Sequence, residues 1–321
     1  MIQEVGNNLV FSLNATMPIF FMMVVGWVLK KTGFLDDNTT NKINQLVFKF
    51  FLPALLFMDL AKEDFLTVWN GKLVGFCFLA TVVSIILAAV LSLFNKNREE
   101  RGEFIQAAFR SGAATLGIAF MQNIYNDTTM VALMIIGSVP LYNIMSVLIL
   151  SFTANNAETK KTGKSRLISA LRNVVTNPII LGIAAGLLWS LLQLPQPVML
   201  TKTMTYLGNL ASPLALIALG ASFEFSQAKE KIGVTGAITG IKLILFCLLF
   251  LPLAIVMGFR NEALVAILIM LGSATTSSCF IMAKNMGHKG IVSSCAVMST
   301  TLFSSFTLSL WLFILKSRGY I

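Results

Sequence analysis

Residues 111–121 read SGAATLGIAFM, inside an apolar run, 104–122, long enough to cross a bilayer. The quoted stretch opens just after Arg110 and holds two glycines, three alanines and a threonine. Backbone facing lipid has to be fully hydrogen-bonded, and a cation at that depth normally faces protein or water. Small helix-weakening residues beside an arginine therefore predict an interrupted helix that lines a pocket.

Working outward, ten apolar segments are long enough to span: 9–29, 43–61, 73–94, 104–122, 129–153, 174–194, 203–223, 232–257, 262–283 and 291–315. Charged residues make up 12% of the chain, against about a quarter in soluble domains, which excludes a soluble fold. The fold class expected is an all-α polytopic membrane protein. Lysines and arginines sit mainly in loops. Counted on alternate sides of ten spans, 15 follow spans 1, 3, 5, 7 and 9, and 6 lie on the other side. Positive charge marks the cytoplasmic face, so both termini are expected outside a plasma (inner) membrane. The net charge of +10 then reports topology, and no nucleic-acid partner is expected. The start, MIQEVGNNLV, lacks a basic region and does not read as a cleaved signal peptide. Four cysteines fall within apolar spans without a metal-binding spacing and read as small buried hydrophobes.

The chain repeats itself. Pro18 and Gly26 in span 1 match Pro178 and Gly186 in span 6, and Pro53 in span 2 matches Pro213 in span 7. The same offset of 160 pairs Gly112, Ala114, Thr115 and Phe120 with Gly272, Ala274, Thr275 and Phe280. Two five-span halves follow, residues 1–155 and 173–321, joined by a basic cytoplasmic linker, 156–172. Five is odd, so the halves enter the membrane from opposite sides. Inverted repeats with interrupted helices are a transporter pattern.

The stretches INQLVFKFFLPALLF (43–57), NPIILGIAAGLL (177–188), LGNLASPLALIALGASF (207–223) and IKLIL (241–245) together resemble the auxin efflux carrier family, which includes bacterial malate and malonate permeases. The resemblance covers nearly the whole chain. It implies ten helices in two inverted repeats, with helices 4 and 9 broken and crossing, as in sodium/proton antiporters and bile-acid transporters. It also implies a homodimer. The family pattern N-x-G-F-x-G-x-P in span 4 is altered here, with Gly112 at the Asn and Ala119 at the Pro; Ala274 stands at the position of the span 9 proline. The breaks are therefore expected at Gly112 and Gly117 in one half, and at Gly272 with the run 275–278 in the other.

Apart from Glu262, the first residue of the ninth segment, four formally charged residues fall inside the ten segments: Lys49, Asp59, Arg110 and Lys242. Three cations against one carboxylate, with two half-helix N-termini aimed at the midplane, point to an anionic substrate. The candidate binding set is Lys49, Arg110, Gly112, Thr115, Gly117, Asn177, Lys242, Thr275, Ser277 and Ser278. Lys49 also suits pairing with Asp59 or snorkelling, Asp59 reads as interfacial, and His288 reads as a surface-loop residue. Asn143, Asn177 and Asn209 suit either a substrate carboxylate or an interhelical hydrogen bond.

The function expected is secondary transport of a small organic anion, a carboxylate such as malate or an auxin-like acid, by alternating access. The alternative is a substrate sensor or scaffold on the same fold. An intramembrane enzyme is disfavoured, since one loop histidine and one membrane carboxylate supply neither a nucleophile–base pair nor a metal cluster. No ATP-binding P-loop pattern occurs. No cofactor is expected; Na⁺ coupling through the hydroxyls of 275–278, proton coupling and uniport are the coupling modes compatible with the residues.

Overall fold

The computed structural model describes residues 2–61, 70–125, 127–154 and 175–321. The linker 156–172 lies outside them. All regular elements among the described residues are helices. In chain order they are α1 (Ile2–Lys31), α2 (Asp37–Ala61), α3 (Gly71–Ser92), α4 (Arg101–Phe109), α5 (Ala113–Ile124) and α6 (Thr129–Thr153). Then come α7 (Pro178–Leu191), α8 (Val198–Ala221), the short α9 (Phe225–Glu230), α10 (Ile232–Val256), α11 (Asn261–Gly272), α12 (Ser278–Asn285) and α13 (Ile291–Ser317). Six of them, α2, α3, α6, α8, α10 and α13, are long and apolar enough to cross a membrane; α7 and α11 are shorter apolar helices.

Local chemistry sets several boundaries. α2 begins at Asp36, whose carboxylate accepts the Thr39 N–H at 2.7 Å as an N-cap. Hydrogen bonds from the Thr39 side chain and backbone hold that exposed carboxyl below its ordinary value. Pro53 lacks an N–H for the Lys49 carbonyl, and its ring crowds that carbonyl. The helix relaxes there into a π-turn over Val47–Phe51. Pro213 acts likewise on Asn209, and α8 steps at Leu210. α7 opens with Pro178 at its first position, where no N–H is needed, behind an Asn177 cap.

Two close helix pairs form one side of the bundle, α1 on α8 and α2 on α7. In each a glycine lets two backbones touch. A methyl at Gly26 of α1 would land on the Ile217 carbonyl of α8, and one at Gly186 of α7 would lie 2.7 Å from the Phe57 carbonyl oxygen of α2. Both partners are related by 160 positions, so the offset read in the sequence recurs in the contacts.

The broken helices occupy the centre. Every residue from Gly102 to Phe109 in α4 and from Leu264 to Gly272 in α11 is buried. A helix buried on all sides has no lipid-facing stripe, which explains why neither shows an amphipathic pattern.

Gly26→Ala and Gly186→Ala should each lower stability by about 1–3 kcal/mol, because the methyl meets backbone that cannot swing away. Gly236→Ala, where an added methyl meets open space, should raise it by up to about 1 kcal/mol through helix propensity. Thermal unfolding in detergent, scored by a monodisperse chromatographic peak, separates the two classes.

Candidate functional site

The first interruption lies at 110–112. α4 ends at Phe109, Arg110 turns extended (φ −74°, ψ 135°), and α5 starts after Gly112. The second lies at 273–277, where Ser273 is extended (φ −75°, ψ 159°) between α11 and α12. Leaving a helix strands backbone groups, and the two breaks supply one another's partners. The Gly112 N–H donates to the Ala274 carbonyl at 2.9 Å, and the Ser111 and Ser273 hydroxyls meet at 2.5 Å. The Thr275 hydroxyl donates at 2.8 Å to the Ala107 carbonyl, the acceptor that Ser111 N–H would have used in a continuous helix. The Thr275 N–H donates to Thr300 Oγ1 of α13 at 3.0 Å. The helices cross at their gaps.

Beside this crossing is a cavity of about 70 Å³. Its polar lining comes from Asp59, Arg110, Asn143, Ser212 and the hydroxyls of both breaks, and its apolar wall from Leu52, Leu55, Leu56, Val139 and Ile179. Arg110 is 4% exposed. Its Nη2 donates to Asn143 Oδ1 at 2.5 Å and its Nη1 to the Met282 Sδ at 2.7 Å. Gln106 Nε2 shares the same sulfur at 3.6 Å. A thioether is a weak acceptor and an amide oxygen is neutral, so neither of these partners offsets the guanidinium's charge. Ion pairs among the described residues join Lys30 to Asp37, Lys231 to Glu100 and Lys289 to Glu99, and none involves Arg110. A buried cation hydrogen-bonded to neutral groups is poorly compensated by them for its desolvation.

The sequence profile described as "Membrane transport protein" matches residues 11–312. The chain belongs to this transporter family. A protein named "Uncharacterized transporter" from Methanothermobacter thermautotrophicus is 21% identical over 308 residues, 94% of this chain and 97% of its own length. A "Putative malonate transporter" of Rhizobium meliloti is 23% identical over 94% of this chain and 95% of its own length. "Uncharacterized transporter YfdV" of Escherichia coli K12 is 20% identical over 68% of this chain and 72% of its own length.

In this transporter-family chain Arg110, Gly112, Ser277 and Ser278 come together on the cavity, while Thr275 lies just behind them, bridging the breaks. Other members of the expected set stand elsewhere. Gly117 is one turn inside α5, packed on Val131, so it makes no break; the chain leaves the helix earlier, at Arg110. Gly272 closes α11, and the interruption starts one residue later. Lys49 is exposed on the surface of α2, off the cavity. Asn177 spends its Oδ1 on the Ile179 N–H at 2.9 Å and caps α7. Lys242 is buried in a π-turn of α10, Ile241–Leu245, with Nζ 3.4 Å from the Met270 carbonyl in the last turn of α11. There its charge faces the negative end of a half-helix. The Thr115 side chain lies outside what is described.

Four residues read differently from their sequence context. Asp59, expected at the interface, is half-buried and lines the cavity. His288, expected in a surface loop, is buried with Nε2 3.1 Å from the Leu150 carbonyl oxygen. Glu103 falls just outside the apolar run yet is buried in α4, where its carboxylate accepts the Gly290 and Ser293 N–H groups at 2.9 Å and caps α13 across the bundle. Asn143, weighed as a polar candidate, holds Arg110. Pro140 one turn earlier and a polar residue on an otherwise apolar helix were the available signals.

Thr275→Val should cost about 1–3 kcal/mol, because the Ala107 carbonyl loses its buried hydroxyl partner while the backbone bond to Thr300 stays. Thr276→Val, whose half-buried hydroxyl meets only the Ser278 hydroxyl, should cost less than about 1 kcal/mol. Melting of the two purified variants in one detergent tests the crossing directly.

Proposed function

We propose that this chain is a secondary transporter that moves a small organic anion by alternating access, with Arg110 as the principal substrate cation. The observation that carries this reading is the buried guanidinium, hydrogen-bonded to neutral groups, on a cavity between two helix interruptions. Ten crossings fit the helices if α4 with α5, and α11 with α12, each count as one broken span. The 160-residue relation of the Gly26–Ile217 and Gly186–Phe57 contacts supports two halves of opposite sense. In such a pair, exchange of the two halves' conformations opens the central site to one face and then the other. The distribution of loop charge supports a topology with both termini outside and the more basic loops in the cytoplasm.

The starts of α5 and α12 border the cavity through Gly112, Ala114, Ser277 and Ser278. Helix N-termini carry partial positive charge, so both favour the same anion that Arg110 would hold. An Arg fork meets a carboxylate with two parallel bonds, which fixes orientation as well as charge. The relative named for malonate is consistent with a short carboxylate of this kind. Lys242 supports the site from behind by steadying the end of α11, and Thr275 by joining the breaks.

Arg110→Ala should reduce malonate flux into proteoliposomes by at least about 100-fold, the loss of roughly 2.7 kcal/mol of charge-assisted binding. Arg110→Lys, which keeps the charge without the fork, should fall between that variant and the native chain. Saturable binding of carboxylates to the native protein without any flux would contradict transport and favour a sensor.

A further inference from the structure

This inference rests on the anion-transport reading and goes on to the route by which the anion leaves the cavity. In the topology that loop charge supports, α4 begins and α6 and α12 end at the cytoplasmic side. The seam where these three helices meet therefore lies between the crossover cavity and the cytoplasm. Contacts at its two ends fix the register of α4 on α6. Arg110 Nη2 donates to Asn143 Oδ1 at the cavity, and a methyl at Gly102 would land on the Thr153 hydroxyl at the far end. Gln106 is one turn from both Gly102 and Arg110, and Ser146 is one turn beyond Asn143, so helical spacing brings both into the seam.

Gln106 and Ser146 are fully buried, yet the Gln106 Oε1 and the Ser146 hydroxyl have no hydrogen-bond partner among the described residues. Asn44 of α2 repeats this where α12 ends. It is buried, neither atom of its side-chain amide has such a partner, and its backbone carbonyl accepts Asn285 Nδ2 at 3.3 Å. An unpaired polar group in the interior forfeits its hydration, whereas an apolar side chain of the same shape forfeits none. Such groups along about 10 Å of α12, from Ser278 to Asn285, suit a lining that meets water or substrate in another conformation.

We propose that this seam is the cytoplasmic half of the substrate path, with Gln106 and Ser146 as a second polar station for the departing carboxylate and α12 as the gate over it. Met282 of α12 makes the closing contact. Its Sδ lies 2.7 Å from Arg110 Nη1 and 3.6 Å from Gln106 Nε2, so it stands between the cavity and the station. A thioether is a weak acceptor, and a carboxylate displaces it readily from an arginine or amide donor. Once α12 draws back, the Gln106 amide and the Ser146 hydroxyl both donate to the anion as it leaves Arg110. Non-helical backbone at 273–277 precedes α12, and Gly287 and Gly290 follow it at φ +88° and +77°, so the short helix shifts between two bends without unwinding. Neither Gln106 nor Ser146 lines the cavity itself, so the station governs passage and leaves resting affinity to the cavity.

The test uses the purified full chain in proteoliposomes, with protein-free vesicles as background. It reads melting, malonate binding and labelled-malonate flux for Ser146→Ala, Gln106→Leu and the double variant. Ser146→Ala removes no hydrogen bond among the described residues and Gln106→Leu only the long one to sulfur, so all three should melt at or above the native temperature. The double variant should bind malonate within about threefold of the native affinity and carry it at least about tenfold more slowly. Native flux in the double variant, or flux that falls only in step with a lowered melting temperature, overturns the inference while transport stands. Malonate bound but not carried by the native chain overturns transport itself. Should the variants fail to fold, Ser146→Cys in a chain with its four native cysteines replaced by serine decides. Reaction with a membrane-impermeant thiosulfonate added on the side of the 156–172 linker, faster while malonate is turned over, is the expected result. No reaction from that side overturns the inference.

Discussion

The Gly112 N–H bond to the Ala274 carbonyl is the contact on which the rest of this structure depends. A helix cannot stop at membrane depth unless something takes over its stranded donors and acceptors. Here each interruption is the other's partner, through that bond, the Ser111–Ser273 hydroxyl pair and the Thr275 bond to Ala107. Neither break is stable alone. Together they permit non-helical backbone, a small cavity and an arginine in the most buried part of the bundle.

The 160-residue offset in the sequence does not extend to the buried charges. Position 110 carries the cavity's guanidinium, and the equivalent position 160 residues on is Met270, whose carbonyl meets the Lys242 ammonium. One cation is thus turned toward the cavity and the other toward the end of a half-helix. Glu103 adds a third use of buried charge, tying α4 to the start of α13 at the far end of the same broken span.

Much of this was legible in the residues. Apolar length marked the six helices long enough to cross, and the paired prolines at 53 and 213 marked where helices α2 and α8 deform. The small residues after Arg110 marked the first break, although not its edge: glycine lowers helix propensity without dictating where the chain departs, so Gly117 stayed helical. The outcome there is decided by tertiary hydrogen bonds from 273–275, which no local pattern encodes. Side-chain roles were harder still. Nothing local distinguishes an Asn177 that caps a helix from one that meets a substrate, or an Asp59 at an interface from one on a cavity. Lys49 and Lys242 look alike in sequence, and only packing separates an exposed lysine from one facing a helix end.

The central claim is that the crossing of two interrupted helices borders a water-accessible anion pocket at membrane depth. Its most direct test is thiol labelling of Thr276→Cys, half-buried on the cavity, in a chain whose four native cysteines, all buried, are replaced by serine. The account predicts that a water-soluble, negatively charged thiosulfonate reacts in the folded protein and that malonate slows the reaction. A cysteine at 276 that stays unreactive until the protein is unfolded in detergent would contradict it.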